Sequence, residues 1–148
     1  MMKVYLSGEI HTDWRNQIIK KSKDLDIFFY MPVIDHSASD DCGVKILGTE
    51  DNKYWHDRKS AQLNSIRTRY GIEQSDIIVV RFGEKYKQWN AAFDAGYAVA
   101  LGKSLITMHA PDISHALKEV DAAAHAVTET PEQVISILKY ILKGELPE

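Results

Sequence analysis

The chain has 148 residues, of which 45% are hydrophobic and 26% charged, as is typical of one globular domain large enough to bury a core. Its 18 basic and 21 acidic residues give a net charge of −3, which indicates no basic surface for a nucleic acid polymer or an anionic membrane. The single cysteine, Cys42, excludes an intramolecular disulfide, and no apolar run resembles a membrane span or a signal peptide. We therefore expect one domain over residues 1–148 in a soluble, cytoplasmic protein.

Five short apolar segments are typical of buried strands, and they alternate with segments of helical character. The predicted strands are residues 3–7, 27–31, 76–82, 104–108 and 124–128. The predicted helices are residues 13–24, 60–74, 89–101, 114–120 and 131–143. Thr130 and Pro131 are typical of the N-cap and first position of the last helix. Residues 35–55 are polar, and we expect them to form a long loop.

The alternation of apolar strands with helices predicts a parallel sheet covered by helices on both faces. Five such strands predict a flavodoxin-like, three-layer α/β fold with strand order 2-1-3-4-5. In folds of this kind, ligands bind beyond the carboxyl ends of the strands, near the point where the strand order reverses. The loops that deserve inspection therefore follow Ser7, Met31, Phe82 and Met108.

The loop after the first predicted strand contains Ser7, Gly8 and Glu9. Gly8 lets a ligand approach the backbone closely, and the Glu9 carboxylate accepts hydrogen bonds from hydroxyl groups. The alternative interpretation is an ordinary turn with a solvated glutamate. The chain contains neither GxGxxG nor GxxxxGK[ST], and its histidines lack metal-ligand spacing, so we expect no cofactor and no metal site.

The predicted loop and helix start at residues 83–90 bring two lysines, two aromatic side chains and two amides to the same edge of the sheet. Aromatic rings stack on bases, amides bind base edges, and lysines bind phosphate groups. Trp89 and Asn90 are the favoured ligand-binding candidates, because each lysine is more simply an exposed charge. Arg67, in the preceding helix, is a further candidate for contact with an anionic ligand.

Asp94 lies among small residues in the predicted helix 89–101. Helical spacing predicts that a small-residue stripe packs on the sheet, formed by Ala92, Ala95, Gly96 and Val99. Asp94 is expected to lie off that stripe, where the helix N-terminus favours its ionised form. Such a carboxylate, partly desolvated, can attack an electrophilic sugar carbon. The alternative is a solvated surface aspartate.

Three strings, YLSG, GIEQSDIIVVRF and AAFDAGYAVALGKSLI, resemble nucleoside 2-deoxyribosyltransferases. The likeness is greatest to the YtoQ group of that superfamily, through EIHTDWR and FGEKYKQWN, and it extends over most of the chain. The resemblance implies a flavodoxin-like fold and an enzyme that breaks the bond between a base and deoxyribose, then passes the sugar to another base or to water. It also implies a nucleoside or nucleotide as ligand, and a homodimer or larger assembly in which neighbours complete the site.

The resemblance also assigns roles to individual residues. A carboxylate just before xGYA attacks the anomeric carbon in this family, which places Asp94 at the position of the nucleophile. Tyr5 matches an early tyrosine of the site, and Gly8, preceded by Ser7, matches the loop that borders the sugar.

The chain departs from the transferase pattern at several positions: Asp94 replaces a glutamate, Thr68 and Gln88 replace aspartates, and Glu9 replaces a proline. Glu9 is therefore our candidate for the carboxylate that handles the proton of the leaving base. One hypothesis is an enzyme acting on the N-glycosidic bond of a nucleoside or nucleotide. The second is a non-catalytic nucleoside- or nucleotide-binding protein on the same scaffold. A third assigns residues 35–55 and 83–90 to a protein partner or an oligomer interface.

Overall fold

A sheet of five parallel strands forms the centre of the computed structural model, which describes residues 1–148. The strands are β1 (Met2–Gly8), β2 (Ile27–Tyr30), β3 (Ile77–Arg81), β4 (Ser104–Met108) and β5 (Ala126–Thr128). Their order across the sheet is β2-β1-β3-β4-β5, and each neighbouring pair is parallel. The predicted fold and strand order are confirmed, and the carboxyl ends of all five strands lie at one edge of the sheet.

Helices cover both faces of this sheet. They are α1 (Trp14–Lys21), α2 (His36–Leu47), α3 (Lys53–Gln74), α4 (Trp89–Ala100), α5 (Lys118–Ala123) and α6 (Pro131–Lys143). The α1 and α6 side chains share one apolar core with the sheet, and the α3 and α4 side chains share the other. No helix is both long enough and apolar enough to cross a membrane.

The alternation of side chains along β1 determines which residues reach the site. Val4 and Leu6 belong to the core under α1 and α6, whereas Tyr5 belongs to the core under α3 and α4. Because strand side chains alternate with a period of two residues, Ser7 lies on the same face as Tyr5. The end of β1 therefore directs a hydroxyl group toward α4.

Residues 35–55 do not form the long loop that we predicted: they form α2 and the first turn of α3. The Asp35 and Asn52 side chains, which favoured a loop in the sequence, are the N-caps of these helices. Gly43 allows the two helices to approach each other closely, because a Cβ there would lie 2.4 Å from the backbone nitrogen of Ser60. The helical hairpin is thus stabilised by a backbone contact that polar composition does not reveal.

The other differences from the predicted elements are shifts of their ends. Helix α1 ends at Lys21 instead of residue 24, and α3 begins at Lys53 instead of residue 60. Pro111–Ile113 forms a 3-10 turn, so α5 begins at Lys118, later than predicted.

We expect Gly43→Ala to lower the free energy of unfolding by roughly 1–3 kcal/mol, because the added methyl group would push α2 and α3 apart. Urea denaturation followed by circular dichroism measures this change. Gly96→Ala is the matched control, since Gly96 also lies inside a helix but has no atom within 4 Å of an added Cβ. Alanine at that position should raise the free energy of unfolding by up to about 1 kcal/mol. Equal effects of the two substitutions would contradict the close contact of α2 with α3.

Candidate active site

A cleft of about 840 Å³ opens beside the carboxyl ends of β1 and β3. The chain passes from β1 to β2 on one side and then crosses to β3 on the other, so this is the reversal point where open parallel sheets bind ligands. The walls of the cleft come from the loop after β1, the α2–α3 hairpin, the loop after β3 and helix α4. The site therefore joins parts of the chain that are far apart in sequence.

Asp94 lies on the face of α4 that packs against the sheet. The buried residues of this helix are Ala91, Ala95 and Ala98. Together with Asp94 they follow the i, i+3, i+4, i+7 spacing of one helical face. The predicted stripe was wrong in its orientation around the helix, because Gly96 and Val99 are exposed. Asp94 therefore lies on the packed face of α4 and points toward β1, not off that face as we predicted.

The Asp94 carboxylate is desolvated and held by one hydrogen bond. Ser7, which is fully buried, donates from Oγ to Oδ2 of Asp94 at 2.6 Å. Burial raises the pKa of Asp94 from 3.8 to about 6, and the Ser7 hydrogen bond opposes that rise. At neutral pH the carboxylate is therefore mainly ionised but poorly solvated. Its Oδ1 atom accepts no hydrogen bond from the chain and is free to meet a ligand.

Tyr5 lies under the site with an unused hydroxyl group. Its side chain is 1% exposed, and the hydroxyl has no hydrogen-bond partner. Burial raises the pKa of Tyr5 to about 12; the nearby Thr68 hydroxyl opposes this without reaching hydrogen-bond geometry, and the charge of Asp94 adds to it. Gly71 makes room for the ring, since a Cβ at that position would lie 2.5 Å from a ring carbon. Tyr5 thus remains a neutral phenol near Asp94.

Glu9 lines the cleft, but its carboxylate is already bound. It accepts hydrogen bonds from the His11 backbone, from the Thr12 hydroxyl at 2.6 Å and from the Arg81 guanidinium at 2.8 Å. Burial alone would raise the pKa of Glu9, but these donors hold the pKa below its usual value. An ionised Glu9 has no proton to give to a leaving base at neutral pH. The geometry supports a role in joining the loops after β1 and β3, not the proton-donating role that we predicted.

The other predicted binding residues divide between the cleft and the outer surface. Gly8, Trp89 and Asn90 line the cleft, and Gly8 has a φ of 109° and approaches the Arg81 carbonyl so closely that no Cβ fits. Arg67 is exposed and is not among the lining residues, whereas Arg69 is. The helical period identifies the correct face, because Arg69 follows the cleft residue Ser65 by four positions.

The wall of the cleft that α2 and α3 build was not predicted from the sequence. Its polar side chains at the cleft include His36, Ser39, Asp40, Lys53, Asp57 and Asn64. Two pairs among them lie within ion-pair distance, Lys53 and Asp57 at 3.0 Å and His36 and Asp40 at 3.2 Å. The two helix caps were the sequence signal that would have placed these residues on helices. No group of three or more His, Cys, Asp or Glu side chains could hold a metal ion.

Two cations in the cleft have no carboxylate partner. Arg69 and Lys87 both line it, and neither takes part in a salt bridge. Lys87 lies 5.9 Å from the ring centre of Trp89, a cation–π distance. The cleft therefore combines one free carboxylate oxygen with two free cationic groups and several aromatic rings.

Solved structures share this fold. A conserved protein from Enterococcus faecalis V583 has a TM-score of 0.63 and 14% sequence identity, over 96% of this chain and 99% of that one. A 2-deoxyribosyltransferase from the psychrotolerant bacterium Bacillus psychrosaccharolyticus has a TM-score of 0.53 and 15% identity, over 90% of each chain. At these identities the likeness shows the common fold.

Sequence comparison shows the family. Residues 5–142 match the family model described as nucleoside 2-deoxyribosyltransferase YtoQ. The chain is also 42% identical over 144 residues to the uncharacterized protein YtoQ of Bacillus subtilis (strain 168), which covers 96% of this chain and 97% of that relative. With this match over nearly its whole length, the chain belongs to the nucleoside 2-deoxyribosyltransferase YtoQ family.

Proposed function

We propose that the protein cleaves or transfers at the N-glycosidic bond of a (deoxy)nucleoside or its 5′-monophosphate, with Asp94 as the nucleophile. The observation that carries this proposal is the state of Asp94, which is desolvated in the cleft, held by Ser7 through one oxygen and free at the other. Membership of the family and the fold shared with a 2-deoxyribosyltransferase support the same reaction class.

The proposed reaction has two displacements at the anomeric carbon. Oδ1 of Asp94 attacks C1′, the bond from C1′ to the base nitrogen breaks, and its electron pair leaves with the base, which takes up a proton from solvent. Water or a second base then attacks C1′ of the glycosyl ester, loses a proton to solvent and releases the Asp94 carboxylate. Two displacements at one carbon retain its configuration, as in the glycosidases that use a carboxylate nucleophile.

Aromatic side chains around Asp94 supply surfaces on which a base can stack. His11 and Tyr86 lie with their ring centres 4.7 Å apart at the cleft, and Trp89 and Phe93 line it from α4. Trp89 is 76% exposed and Phe93 70%, so both rings are open to a ligand. Stacking on such rings tolerates any base, and the amide of Asn90 adds hydrogen bonds to a base edge.

The free cations favour the 5′-monophosphate over the nucleoside. Arg69 and Lys87 line the cleft without an ion-pair partner, unlike the paired Lys53. A phosphate group supplies the anion that these side chains lack, and the planar Arg69 guanidinium matches two phosphate oxygens.

A second candidate is a non-catalytic nucleotide-binding protein. Apart from Asp94, three carboxylates line the cleft, and each has a partner. Glu9 contacts Arg81, Asp40 contacts His36, and Asp57 contacts both Lys53 and His56. No second free carboxylate is present to protonate a leaving base. Stabilisation of the protein by intact nucleotides, without release of a base, would favour this candidate.

We also propose that the protein assembles at least as a dimer through α3. Two large apolar side chains that do not line the cleft are exposed on this helix, Ile66 (59%) and Tyr70 (57%). Exposed apolar surface of this kind is typical of a protein interface. An interface here would lie beside the cleft, so that a second chain would narrow its mouth.

Asp94→Asn should lower kcat/KM for release of the base at least roughly 10³-fold, because the nucleophile is lost. The same change should stabilise the fold at pH 7.5 by roughly 2–3 kcal/mol, since the pKa of Asp94 rises from 3.8 to about 6 on folding. In the wild type, ionised Asp94 lowers the free energy of unfolding. This loss is absent below pH 3.8, grows as the pH rises to about 6 and is complete above it. The extra stability of Asp94→Asn over the wild type should therefore vanish near pH 4.

Base release from a panel of deoxynucleosides and their 5′-monophosphates, with and without acceptor bases, measures the first effect, and urea denaturation at the two pH values measures the second. Asp112→Asn, at an exposed site outside the cleft, is the control and should change neither quantity. Full activity of Asp94→Asn would remove the proposed nucleophile.

Arg69→Gln should raise KM for a nucleoside 5′-monophosphate on the order of tenfold and leave KM for the nucleoside nearly unchanged. Steady-state kinetics with both substrates measures the difference. Arg67→Gln is the matched control, because Arg67 lies on the same helix but does not line the cleft. Equal losses for the two substrates would contradict a phosphate contact at Arg69.

Light scattering after size exclusion should give a mass at least twice the 16.8 kDa of the chain at micromolar concentration. Ile66→Glu should shift the protein toward the monomer, because it places a charge in the proposed interface. Ile141→Glu adds the same charge at an exposed position of α6 and should have no effect. A monomeric wild type would exclude the dimer.

A further inference from the structure

Arg15, the second residue of α1, is a buried cation without a carboxylate partner. It is 3% exposed and forms no salt bridge. Its guanidinium donates instead to three backbone carbonyls: from Nε to Leu6 at 2.9 Å, from Nη1 to Glu9 at 2.6 Å and from Nη2 to Gly8 at 2.9 Å. Burial lowers the pKa of Arg15 to about 10, which still leaves the group charged at neutral pH. Burying a charge without a counter-ion is costly, and here the three carbonyls are what satisfies the guanidinium. The question is why these carbonyls are free to accept its hydrogen bonds.

The end of β1 explains why these carbonyls are available. Strand β2 ends at Tyr30, which pairs with Tyr5, whereas β1 continues alongside β3 as far as Gly8. Beyond Tyr5, β1 therefore has a neighbouring strand on one side only. The Arg15 guanidinium occupies the open side and satisfies backbone acceptors that β2 no longer reaches.

Two of the three acceptors belong to the residues on either side of Ser7. Leu6 and Gly8 are both held by Arg15, so the backbone of Ser7 is fixed between two anchored carbonyls. The side chain of Ser7 in turn donates to Oδ2 of Asp94, and it is the one hydrogen-bond partner of that carboxylate in the chain. A continuous set of contacts thus leads from Arg15 through Ser7 to Asp94.

We propose that Arg15 is a positioning residue of the active site: by anchoring the carbonyls that flank Ser7, it places the hydroxyl that holds the Asp94 carboxylate. Arg15 is buried behind β1 and does not itself line the cleft. The proposal rests on the proposed function only in that Asp94 is the reacting group.

The titration of Asp94 reports on this arrangement directly. The other titratable groups around the cleft are Tyr5 of β1, Glu9 and His11 of the following loop, His36 and Asp40 of α2, Lys53, Asp57 and Arg69 of α3, Tyr86 and Lys87 before α4 and Tyr97 within α4. None of them donates a hydrogen bond to Asp94. A misplaced Ser7 hydroxyl therefore removes the one bond that favours the ionised carboxylate, and the pKa of Asp94 must rise.

The experiment is a carbon-13 NMR titration of the Asp94 carboxyl group in the substrate-free wild type, Ser7→Ala, Arg15→Lys and the double variant. We expect Ser7→Ala to raise the midpoint by about one pH unit, because a hydrogen bond to a charged group is lost. Arg15→Lys keeps the charge but replaces the planar fork of three donor nitrogens with a single ammonium nitrogen, which does not reproduce the three contacts, so it should raise the midpoint in the same direction. The double variant should show no more than the shift of Ser7→Ala alone.

Ile18→Val is the matched control for loss of stability, since Ile18 is buried on α1 three residues after Arg15. It should lower the melting temperature and leave the midpoint of Asp94 at its wild-type value. Arg15→Lys that melts earlier but titrates like the wild type would overturn the proposal, because Arg15 would then only support the fold. Additive shifts in the double variant would overturn it as well.

A second measurement needs no change at Arg15. If Arg15 and Asp94 are coupled through Ser7, protonation of Asp94 must also change the hydrogen bonding of Arg15, because coupling between two sites is reciprocal. The Nε–H resonance of Arg15 should titrate with the midpoint of Asp94 in the wild type and lose that transition in Ser7→Ala. An Arg15 Nε–H chemical shift that does not change through the titration of Asp94 would contradict the coupling, even if Arg15→Lys fails to fold.

Kinetics separate this proposal from the proposed function. Arg15→Lys should lower kcat, leave KM nearly unchanged and move the acid limb of the pH profile upward together with the NMR midpoint. Absence of turnover in the wild type with every nucleoside and nucleotide would overturn the enzymatic function. The substrate-free titration would still decide whether Arg15 positions Ser7 and Asp94.

Discussion

The hydrogen bond from Ser7 to Asp94 joins two segments that are 87 residues apart, and the geometry of the site depends on it. Helix α4 must lie close to the end of β1 for an aspartate to reach that hydroxyl. The buried face of α4 is built from alanines, which allow this approach. The transferases that the sequence resembles carry a glutamate at this position, one methylene longer. In this chain, close packing of α4 on the sheet brings the Asp94 carboxylate within hydrogen-bond distance of Ser7.

The burial that makes this contact possible costs free energy. Removing Asp94 from water raises its pKa to about 6, and the single hydroxyl of Ser7 does not offset that loss of solvation. A well-hydrogen-bonded carboxylate would be more stable but a weaker nucleophile. Glu9 illustrates the opposite solution, since its three donors hold it firmly ionised and leave it without spare reactivity. Two carboxylates in one cleft thus have environments suited to different tasks.

Local patterns in the sequence predicted two kinds of element well: strands with a continuous apolar run, and helices whose ends are marked by capping residues. Residues 104–108 and the helix with Thr130 as its N-cap have the predicted bounds. The α2–α3 hairpin was missed because its decisive contact, Gly43 against Ser60, lies between residues that no periodicity connects. The orientation of α4 was missed for a related reason: alanine, glycine and valine are all small enough for a packed face, so composition did not distinguish the two sides of the helix.

The position of Asp94 in the motif was predictable, but its environment was not. The string FDAGYA identifies the carboxylate, whereas its hydrogen-bond partner, its desolvation and the support behind that partner come from β1 and α1. Arg15 shows how indirect this support is, because it acts on backbone carbonyls that have no sequence signature of their own. A short motif supplies the carboxylate of this site. Its support comes from the end of β1, which extends past its last pairing with β2 and leaves the Leu6 and Gly8 carbonyls to Arg15.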